Sequence, residues 1–443
     1  MAVKQRIIIS FVIFCLFFSN LHFVFCQDAK SSSPALSLTE VVLTAFKNNK
    51  DIQIQEKEIS IAQAGILEAR SVFLPQVNLN AAYTHNDKVL SENIFTGYTN
   101  DNLANLTVAE SVYSGGANIA SFNQSKLSLD VQRETLRAKK LDVEFDAKRL
   151  YYGLLLAIES LRIARDALDQ AIAHYEVVKQ MYESGSASRF DMLQSGVQVS
   201  LLEPDVVKAK NDIESLKVDL NKLLSRNTDF PVDVDNEKLA CTFLEIKEDE
   251  FLKTAYLGRP EMKLKDLGVD IDKWGIQMAK SGYRPNIDLL AGYSWRSNNP
   301  GNMLNDKQSN WNAGISVNVP IFEGFSTKAK VDAARARYAQ SKLSKENLYD
   351  QIAVEVRKGC LGLKQAQAII KSQQDNVAQA REALRIAQVS YANGVAINLD
   401  VLDAQTSLAQ IQKNLVSGIY DYLMALAYLE RSMGKPFIKE SQV

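Results

Sequence analysis

The sequence predicts a membrane protein of the α+β class with two tandem structural repeats. Three observations support this: self-similarity at an offset of about 210 residues, pairs of short alternating segments, and helical regions of more than 60 residues without proline. The alternation predicts strands with one apolar face, and the long helical regions predict a structure that extends far from those strands. An export signal at the N-terminus indicates that the mature chain leaves the cytoplasm.

Composition excludes several functional classes. The 443 residues carry a formal net charge of −1, with a pI near 6.4, whereas a nucleic-acid-binding protein normally carries a basic patch. The three histidines, His22, His85 and His174, belong to no metal-binding or catalytic motif, and phosphate-binding glycine loops are absent from the sequence. Cys241 and Cys360 lie far apart, so they indicate neither a disulfide framework nor a metal site. We therefore predict no enzymatic activity, no cofactor and no nucleic-acid partner.

Residues 1–26 have the organisation of a secretory signal peptide. Lys4 and Arg6 precede the apolar stretch "IIISFVIFCLFF", which is too short to span a membrane as a helix. We expect cleavage after Cys26. Lipidation of Cys26 is the alternative, although the bulky Phe25 before it is unfavourable for a lipoprotein signal.

The mature chain repeats its landmarks at one offset. Gly185 and Gly394 are 209 positions apart, Asp191 and Asp400 are also 209 apart, and Pro75 and Pro285 are 210 apart. A fixed period of this kind indicates repeated structural units. We predict a first copy over residues 36–226, a connector over 227–249, a second copy over 250–435 and a tail over 436–443.

Each copy contains two short segments in which apolar and polar residues alternate, predicted as β-hairpins over about 76–113 and 286–319. The apolar row comprises Val77, Leu79, Ala81, Tyr83, Leu106, Val108 and Val112 in the first copy, and Ile287, Leu289, Ala291, Tyr293 and Trp295 in the second. The opposite row of the second copy is almost purely Asn, Asp, Ser and Gly. Aromatic residues near the segment ends favour membrane strands over a half-buried soluble sheet, because aromatic residues concentrate at membrane interfaces.

Very long helices are predicted from Ala117 to Glu183 and from Lys328 to Ala392. A continuous helix of this length reaches roughly 100 Å at ~1.5 Å per residue. A heptad seam marks the second helix at Val377, Ala380, Leu384, Ala387 and Tyr391. Helices of this length must pack along other long helices to be stable. We expect Pro204 to kink the returning helix of the first copy.

Four membrane strands cannot close on themselves. An open sheet edge leaves unpaired backbone groups in hydrocarbon, and even an eight-stranded barrel has an interior filled by side chains. Three chains supply twelve strands and an open lumen. The sequence thus predicts a trimeric twelve-stranded barrel, with four strands per chain, continued by a long α-helical barrel.

The chain resembles the TolC-like outer-membrane efflux family over about residues 36–435. The segments that carry the resemblance are "LTEVVLTAFKNN", "YRPNIDLLAGYSW", "VNVPIFEGF", "YESGSASRFDMLQ" and "SYANGVAINLDVLDAQTSLAQ". The resemblance implies a homotrimeric channel in the outer membrane of a Gram-negative bacterium, extending into the periplasm. Its implied partners are outer-membrane lipid, a periplasmic adaptor (membrane fusion protein) and an inner-membrane pump. Its implied role is tripartite efflux or type I secretion, from periplasm or cytoplasm to the exterior.

The rival hypothesis is a soluble periplasmic coiled-coil adaptor or scaffold. It accounts for the long helices and predicts that the alternating segments are buried beneath them.

Two Tyr-x-x-Gly stretches are predicted as the turns at the tips of the helical hairpins. In the family these tips carry the adaptor contact and the gate. The resemblance therefore implies adaptor docking at Gly185, Ser186, Gly394 and Val395.

For the gate, the family's second tip has a Tyr, an Arg and two Asp. Tyr391, Asp400 and Asp403 match three of these, while Ala396 stands at the Arg position. Asp191 is the counterpart of Asp400 in the first copy. Asp400 and Asp403, at i and i+3, lie on one helical face, and threefold symmetry would make them acidic rings that favour cations. The alternative is helix capping, by Ser188 with Asp191 and by Asn398 followed by Asp400.

Overall fold

The computed structural model describes residues 36–85, 100–234, 241–297, 299–302 and 309–435. The predicted signal peptide (1–26) and tail (436–443) lie outside the described residues. Among those described, no helix is both long enough and apolar enough to cross a membrane.

Two halves of the chain follow the same order of elements. The first contains α1 (Leu38–Asn48), α2 (Lys50–Ser71), β1 (Gln76–His85), β2 (Asn100–Ser114), α3 (Ala117–Glu183) and α4 (Arg189–Leu223). The second contains α5 (Glu248–Gly258), α6 (Pro260–Lys280), β3 (Asn286–Ser297), β4 (Ser309–Asn318), α7 (Ser326–Ala392) and α8 (Asn398–Met433). The long helices α3 and α7 each have 67 residues, and the returning helices α4 and α8 have 35 and 36. The predicted long helices therefore form without interruption, and α4 continues through Pro204.

Local chemistry sets the helix ends. Ser37 begins α1 with a capping box, in which the Ser37 hydroxyl accepts from the Glu40 N–H while the Glu40 carboxylate accepts from the Ser37 N–H. Pro260 occupies the first turn of α6, where its missing N–H costs nothing. Gly434 follows α8 at a φ of +67°, the left-handed conformation that ends many helices.

The strands form one antiparallel sheet in the order β1-β2-β3-β4. Its central pairing joins the two halves of the chain, with Leu106 opposite Tyr293 and Val108 opposite Ala291. A bulge between Ser111 and Tyr113 shifts this register, so Tyr113 lies opposite Ile287. Tyr113, rather than Val112, is therefore the residue of β2 paired with Ile287 of the apolar row.

The two outer strands of the sheet are exposed. Every residue of β1 is exposed, as is every residue of β4 except Ser309. Among the described residues, each outer strand pairs with a single neighbour, β1 with β2 and β4 with β3. The strands are not buried under the helices, contrary to what the soluble-scaffold hypothesis predicts.

The helices pack side by side in two tiers. Near the sheet, α3 lies between α2 and α6, and α6 also contacts α7. Farther from the sheet, α3 pairs with α4, α7 pairs with α8, and α3 contacts α8. The α3/α4 and α7/α8 hairpins thus lie together with their turns at the same end.

A charged belt crosses this bundle between the two tiers. It comprises Asp142, Glu144, Lys148, Arg259, Glu261, Glu355, Glu430 and Arg431. Lys148 Nζ lies 2.6 Å from Glu144 Oε1 and 2.7 Å from Glu430 Oε2. The Arg431 guanidinium lies 2.6 Å from Asp142 Oδ1 and 2.7 Å from Glu261 Oε1. The belt therefore ties the first half of the chain to the second through two ion pairs, the largely buried Lys148–Glu430 and the more exposed Arg431–Asp142.

Candidate gate and docking tips

The two hairpin turns have the same backbone geometry. Gly185 has φ +79° and Gly394 has φ +72°. The next residue of each turn donates its N–H back into the long helix, Ser186 to Met181 O at 2.7 Å and Val395 to Ser390 O at 2.9 Å. A Cβ at either glycine would meet nothing within 4 Å, so the left-handed φ, rather than crowding, is what requires glycine here.

The predicted docking residues Gly185, Ser186, Gly394 and Val395 are all exposed at these turns. Val395 is 83% exposed, so an apolar side chain faces solvent at this turn. The turns therefore present a small, partly apolar surface. Its role in adaptor docking stays a prediction.

Both returning helices begin with an aspartate cap. The Asp191 carboxylate accepts from the Ser188 N–H at 3.2 Å, and the Ser188 hydroxyl accepts from the Asp191 N–H at 3.1 Å. In the second hairpin, the Asp400 carboxylate accepts from the Ile397 N–H at 3.1 Å. Capping therefore occupies Asp191 and Asp400, as the alternative interpretation expects. It does not involve Asp403, whose side chain is exposed one turn into α8.

Asn398 is not a cap, which corrects the second half of that interpretation. Ile397 occupies the cap position, and the Asn398 side chain turns inward, where the residue is 2% exposed. Asn398 Oδ1 lies 2.8 Å from His174 Nε2 and accepts from the Ser195 hydroxyl at 3.1 Å. Asn398 Nδ2 donates to Asp191 O at 3.3 Å and to Gln194 Oε1 at 3.2 Å.

This arrangement uses both lone pairs and both N–H groups of the Asn398 amide. The His174 Nε2 then carries the ring proton, because Asn398 Oδ1 can only accept. A single side chain on α8 is thus hydrogen-bonded to α3 and to α4. Sequence reasoning missed this role of Asn398, because its partners lie some 200 positions away in the sequence and only the folded structure brings them together.

Tyr391 lies against the same cluster. Its ring meets the His174 ring edge-to-face with centroids 5.3 Å apart, among the apolar side chains of Val178, Leu384 and Val401. The Tyr391 hydroxyl is buried and has no hydrogen-bond partner among the described residues. Burial, and secondly the negative charge of Asp191, raise the pKa of the Tyr391 phenol.

His174 is a packed histidine rather than a surface one. It is 7% exposed, and this burial lowers the pKa of its imidazole, while the hydrogen bond with Asn398 opposes the shift in part. At neutral pH the ring is therefore uncharged, and the junction between the hairpins is a neutral hydrogen-bonded cluster.

The predicted gate residues thus divide into two groups. Tyr391 packs in the junction of the two hairpins, where the charge of Asp191 acts on its phenol, whereas Asp400 and Asp403 lie exposed on α8. Ala396 packs against the apolar cluster of the junction. Within the part of the chain that the structure describes, no group of three or more His, Cys, Asp or Glu side chains is arranged to hold a metal ion.

At the other end of the molecule, the sheet has an apolar and a polar face. Leu79, Leu106, Tyr293 and Trp311 lie side by side across all four strands on the apolar face. On the polar face, Asn80, Asn105, Ser294 and Asn310 form the adjacent row. Arg296 and Asp101 on that face form a bidentate ion pair at 2.8 and 2.9 Å. Glu110, opposite Leu289, is an acidic exception on the apolar face near the helices.

A sheet with one face suited to lipid, continued by a long helical bundle, defines a class of protein: a subunit that inserts strands into a membrane and carries a helical extension beyond it. The model of the outer membrane efflux protein family matches this chain twice, at residues 41–226 and at residues 252–435. The chain belongs to the outer membrane efflux protein family.

Individual relatives are similar to this chain over nearly its whole length. The outer membrane protein TolC of Vibrio cholerae is 22% identical over 414 residues, covering 90% of this chain and 91% of that protein. The proteases secretion protein PrtF of Dickeya chrysanthemi is 24% identical over 427 residues, covering 91% and 89%. The crystal structure of VceC from Vibrio cholerae shares the fold with a TM-score of 0.78 at 18% identity, covering 90% and 97%.

These comparisons confirm the resemblance, the outer-membrane location and an export function, in preference to the soluble adaptor or scaffold. The family is one of outer-membrane channel proteins, not of enzymes. The positions assigned to the gate and to adaptor docking stay predictions.

Proposed function

We propose that three copies of this chain form the outer-membrane channel of a tripartite export system, with a twelve-stranded barrel and a helical tunnel. The observation that carries the proposal is the pair of open edges, β1 and β4, on an otherwise complete four-stranded sheet. An unpaired strand edge in hydrocarbon is strongly unfavourable. Because β1 and β4 run in opposite directions, β4 of one copy fits antiparallel against β1 of the next, so copies of the chain close the barrel.

In this barrel the apolar face lies outward against lipid and the polar face lines the pore. Tyr83, Tyr293, Trp295 and Trp311 cluster at the end of the sheet far from the helices, as an aromatic girdle at the outer interface would. Glu110 then lies at the opposite, periplasmic boundary, where a charge costs less than at the bilayer centre.

We further propose that each chain consists of two tandem copies, 36–226 and 250–435, with a connector over 227–249. The matched lengths of the corresponding helices and the double match of the family model support this division. Residues 1–26 act as the signal peptide, and residues 436–443 form the tail.

The tips are proposed as the gate and the docking site for a periplasmic adaptor, which couples the channel to an inner-membrane pump. Support comes from the exposed glycine turns and from the junction of Tyr391 and Asp191 beside them. The relatives include TolC and a proteases secretion protein, so we propose an export role without assigning the cargo.

Asp400 and Asp403 are proposed as acidic rings around the pore. Both are exposed on α8, and Asp403 is free of capping hydrogen bonds among the described residues. Rings of carboxylates favour cations in a pore.

Planar-bilayer recording of the detergent-extracted protein tests the proposal. We expect ion-conducting channels whose cation preference falls in the double variant Asp400→Ala/Asp403→Ala. Asp375→Ala is the matched control. It removes an exposed acid on α7, farther from the hairpin turn, and should leave ion selectivity unchanged. Absence of any channel would contradict the proposed function, whereas unchanged selectivity in the double variant would contradict only the acidic rings.

A further inference from the structure

Close to the tips, neutral polar side chains connect the two hairpins beside the apolar cluster that contains Tyr391. Asn398 makes four hydrogen-bond contacts there, to His174 on α3 and to three groups on α4. Two turns farther along α8, the Gln405 side chain donates to Gln170 O on α3 at 3.2 Å. Both residues are buried, so the two hairpins of one chain are joined by a short ladder of hydrogen bonds shielded from water.

We propose that Asn398 and His174 form a latch that holds α8 against α3 and α4 in the closed tip. The latch deepens the proposed function and rests on it, since it assumes that the tips are the gate. It also supplies a restraint at a tip where Ala396 stands in place of the family's Arg. Ala396 packs into the apolar cluster and has no group with which to form an ion pair.

The geometry makes the latch cooperative. All four contacts converge on one amide, so a shift of α8 by a few ångströms breaks them together. Buried polar groups that lose their partners are costly until water reaches them. The closed position is therefore favoured until the hairpins separate enough for solvent to enter. Intermediate positions are unfavourable, so α8 has two stable positions, closed and open.

His174 makes the latch sensitive to acid. Its ordinary pKa of 6.5 is lowered in the closed tip, chiefly by burial. Once the hairpins separate, the ring regains water and its ordinary pKa. Protonation therefore favours the open position: the closed position is unaffected well above pH 6.5 and loses stability as the pH falls below it.

Other titratable groups around His174 do not change this sign. Tyr391 faces the ring from α7, and its raised pKa keeps the phenol neutral at and below neutral pH. From α4 the nearby acid is Asp191, which caps its own helix. On α8 the acids that follow Asn398 are Asp400 and Asp403, both exposed. On α3 itself, Glu176 and Lys179 form an exposed ion pair with each other.

Asn398→Ala, His174→Gln and the control Asn414→Ala test the latch in the full-length protein. Asn414 is an exposed asparagine on the same helix whose side chain accepts only from Gln410 in the described structure. In planar bilayers at pH 7.5 we expect the open probability of Asn398→Ala to rise at least about tenfold, since more than one buried hydrogen bond is lost. Asn414→Ala should behave as the wild type.

A pH series distinguishes the latch from a general weakening of the tip. Wild-type open probability should rise by up to about tenfold per pH unit below about 6.5. His174→Gln keeps a donor for Asn398 Oδ1 but cannot titrate, so its open probability should stay flat over pH 5–7. Wild-type behaviour of Asn398→Ala, or an unchanged acid response in His174→Gln, would overturn the latch.

Hydrogen–deuterium exchange provides a readout independent of conduction. Backbone amides of residues 391–403 should exchange at least about tenfold faster in Asn398→Ala than in the wild type or in Asn414→Ala. If no variant conducts, the channel function fails, and the exchange rates alone decide whether the latch exists. Equal exchange in all three proteins would contradict it.

Discussion

The charged belt and the tip junction join the same two halves of the chain by opposite chemistry. The belt uses ion pairs, namely Lys148 with Glu430, whose side chains are 11–13% exposed, and Arg431 with Asp142. The tip junction uses neutral amide, imidazole and hydroxyl groups around Asn398. Removing one partner of a buried ion pair leaves the other charge buried and unpaired, which is costly. Separating neutral groups leaves only unpaired dipoles, which costs less free energy. The difference supports the proposal that the belt holds the two halves together while the junction near the tips can separate.

The largest effect is expected from Arg431→Met. It leaves Asp142 without its cation and Glu261 with Arg259 alone, and the loss of these charged hydrogen bonds predicts a fall of about 1.5–3 kcal/mol in stability. Circular dichroism of the detergent-solubilised protein should show a lower unfolding temperature. Arg385→Met, which breaks an exposed pair with Glu382, is the matched control and should leave that temperature unchanged. Equal effects of the two variants would contradict the belt's structural role.

Acid should act on the two regions in separate pH ranges. Burial pushes the pKa of the Glu261 carboxyl upward, but the Arg259 hydrogen bond and the charges of Arg431 and Arg259 outweigh it, holding the pKa below its ordinary 4.5. A depressed carboxyl pKa stabilises the fold above the ordinary value, and this stability is lost as the pH falls below about 4.5.

The tip, in contrast, should loosen already below about pH 6.5, where His174 begins to titrate in the open position. As the pH is lowered, the amides of residues 391–403 should therefore lose protection from exchange, relative to unprotected amides, before the helical circular dichroism signal is lost. Simultaneous changes in both signals would show that the belt and the junction do not differ as proposed.

Tyr391→Phe should be tolerated or slightly favourable to the closed tip. The hydroxyl is buried without a partner among the described residues, so its removal eliminates a desolvation cost of about 1 kcal/mol. The ring contact with His174 is retained. We expect an open probability equal to or below that of the wild type in bilayers. A leakier channel would show that a neighbouring subunit supplies a partner to this hydroxyl.

The most local effect is expected at the turns. Gly394→Ala places a Cβ in open space but in a left-handed conformation, which costs about 1–2 kcal/mol. Gly65→Ala, also in open space but within α2, should instead stabilise by about 0.5–1 kcal/mol. Faster hydrogen exchange confined to the tip is expected for the first variant only. Similar effects of the two substitutions would remove the conformational argument for the turn glycines.

Sequence reasoning captured the features that depend on neighbouring residues. The 67-residue helices follow from the absence of proline, the turns from Gly185 and Gly394, and the strands from their alternation. The Ser188–Asp191 cap was also visible, because both residues lie within one turn. Of the family-based gate positions, Tyr391 lies in the junction, and Asp191 takes part in it through its backbone oxygen, which accepts from Asn398; their role in a gate stays a prediction.

Features that depend on a distant partner were missed. The bulge at Val112 is set by the pairing of Tyr113 with Ile287, and in the sequence Val112 continues the alternation faultlessly. Asn398 looked like a cap because capping is the commonest role of Asn at a helix start. Its true environment comes from α3 and α4, which no local pattern reveals.

Native mass spectrometry of the detergent-extracted, full-length protein tests most directly the claim that copies of this chain share a barrel through β1 and β4. We expect one assembly with three times the mass of the mature chain, stable until heat denatures it. A stably membrane-inserted single subunit would contradict it.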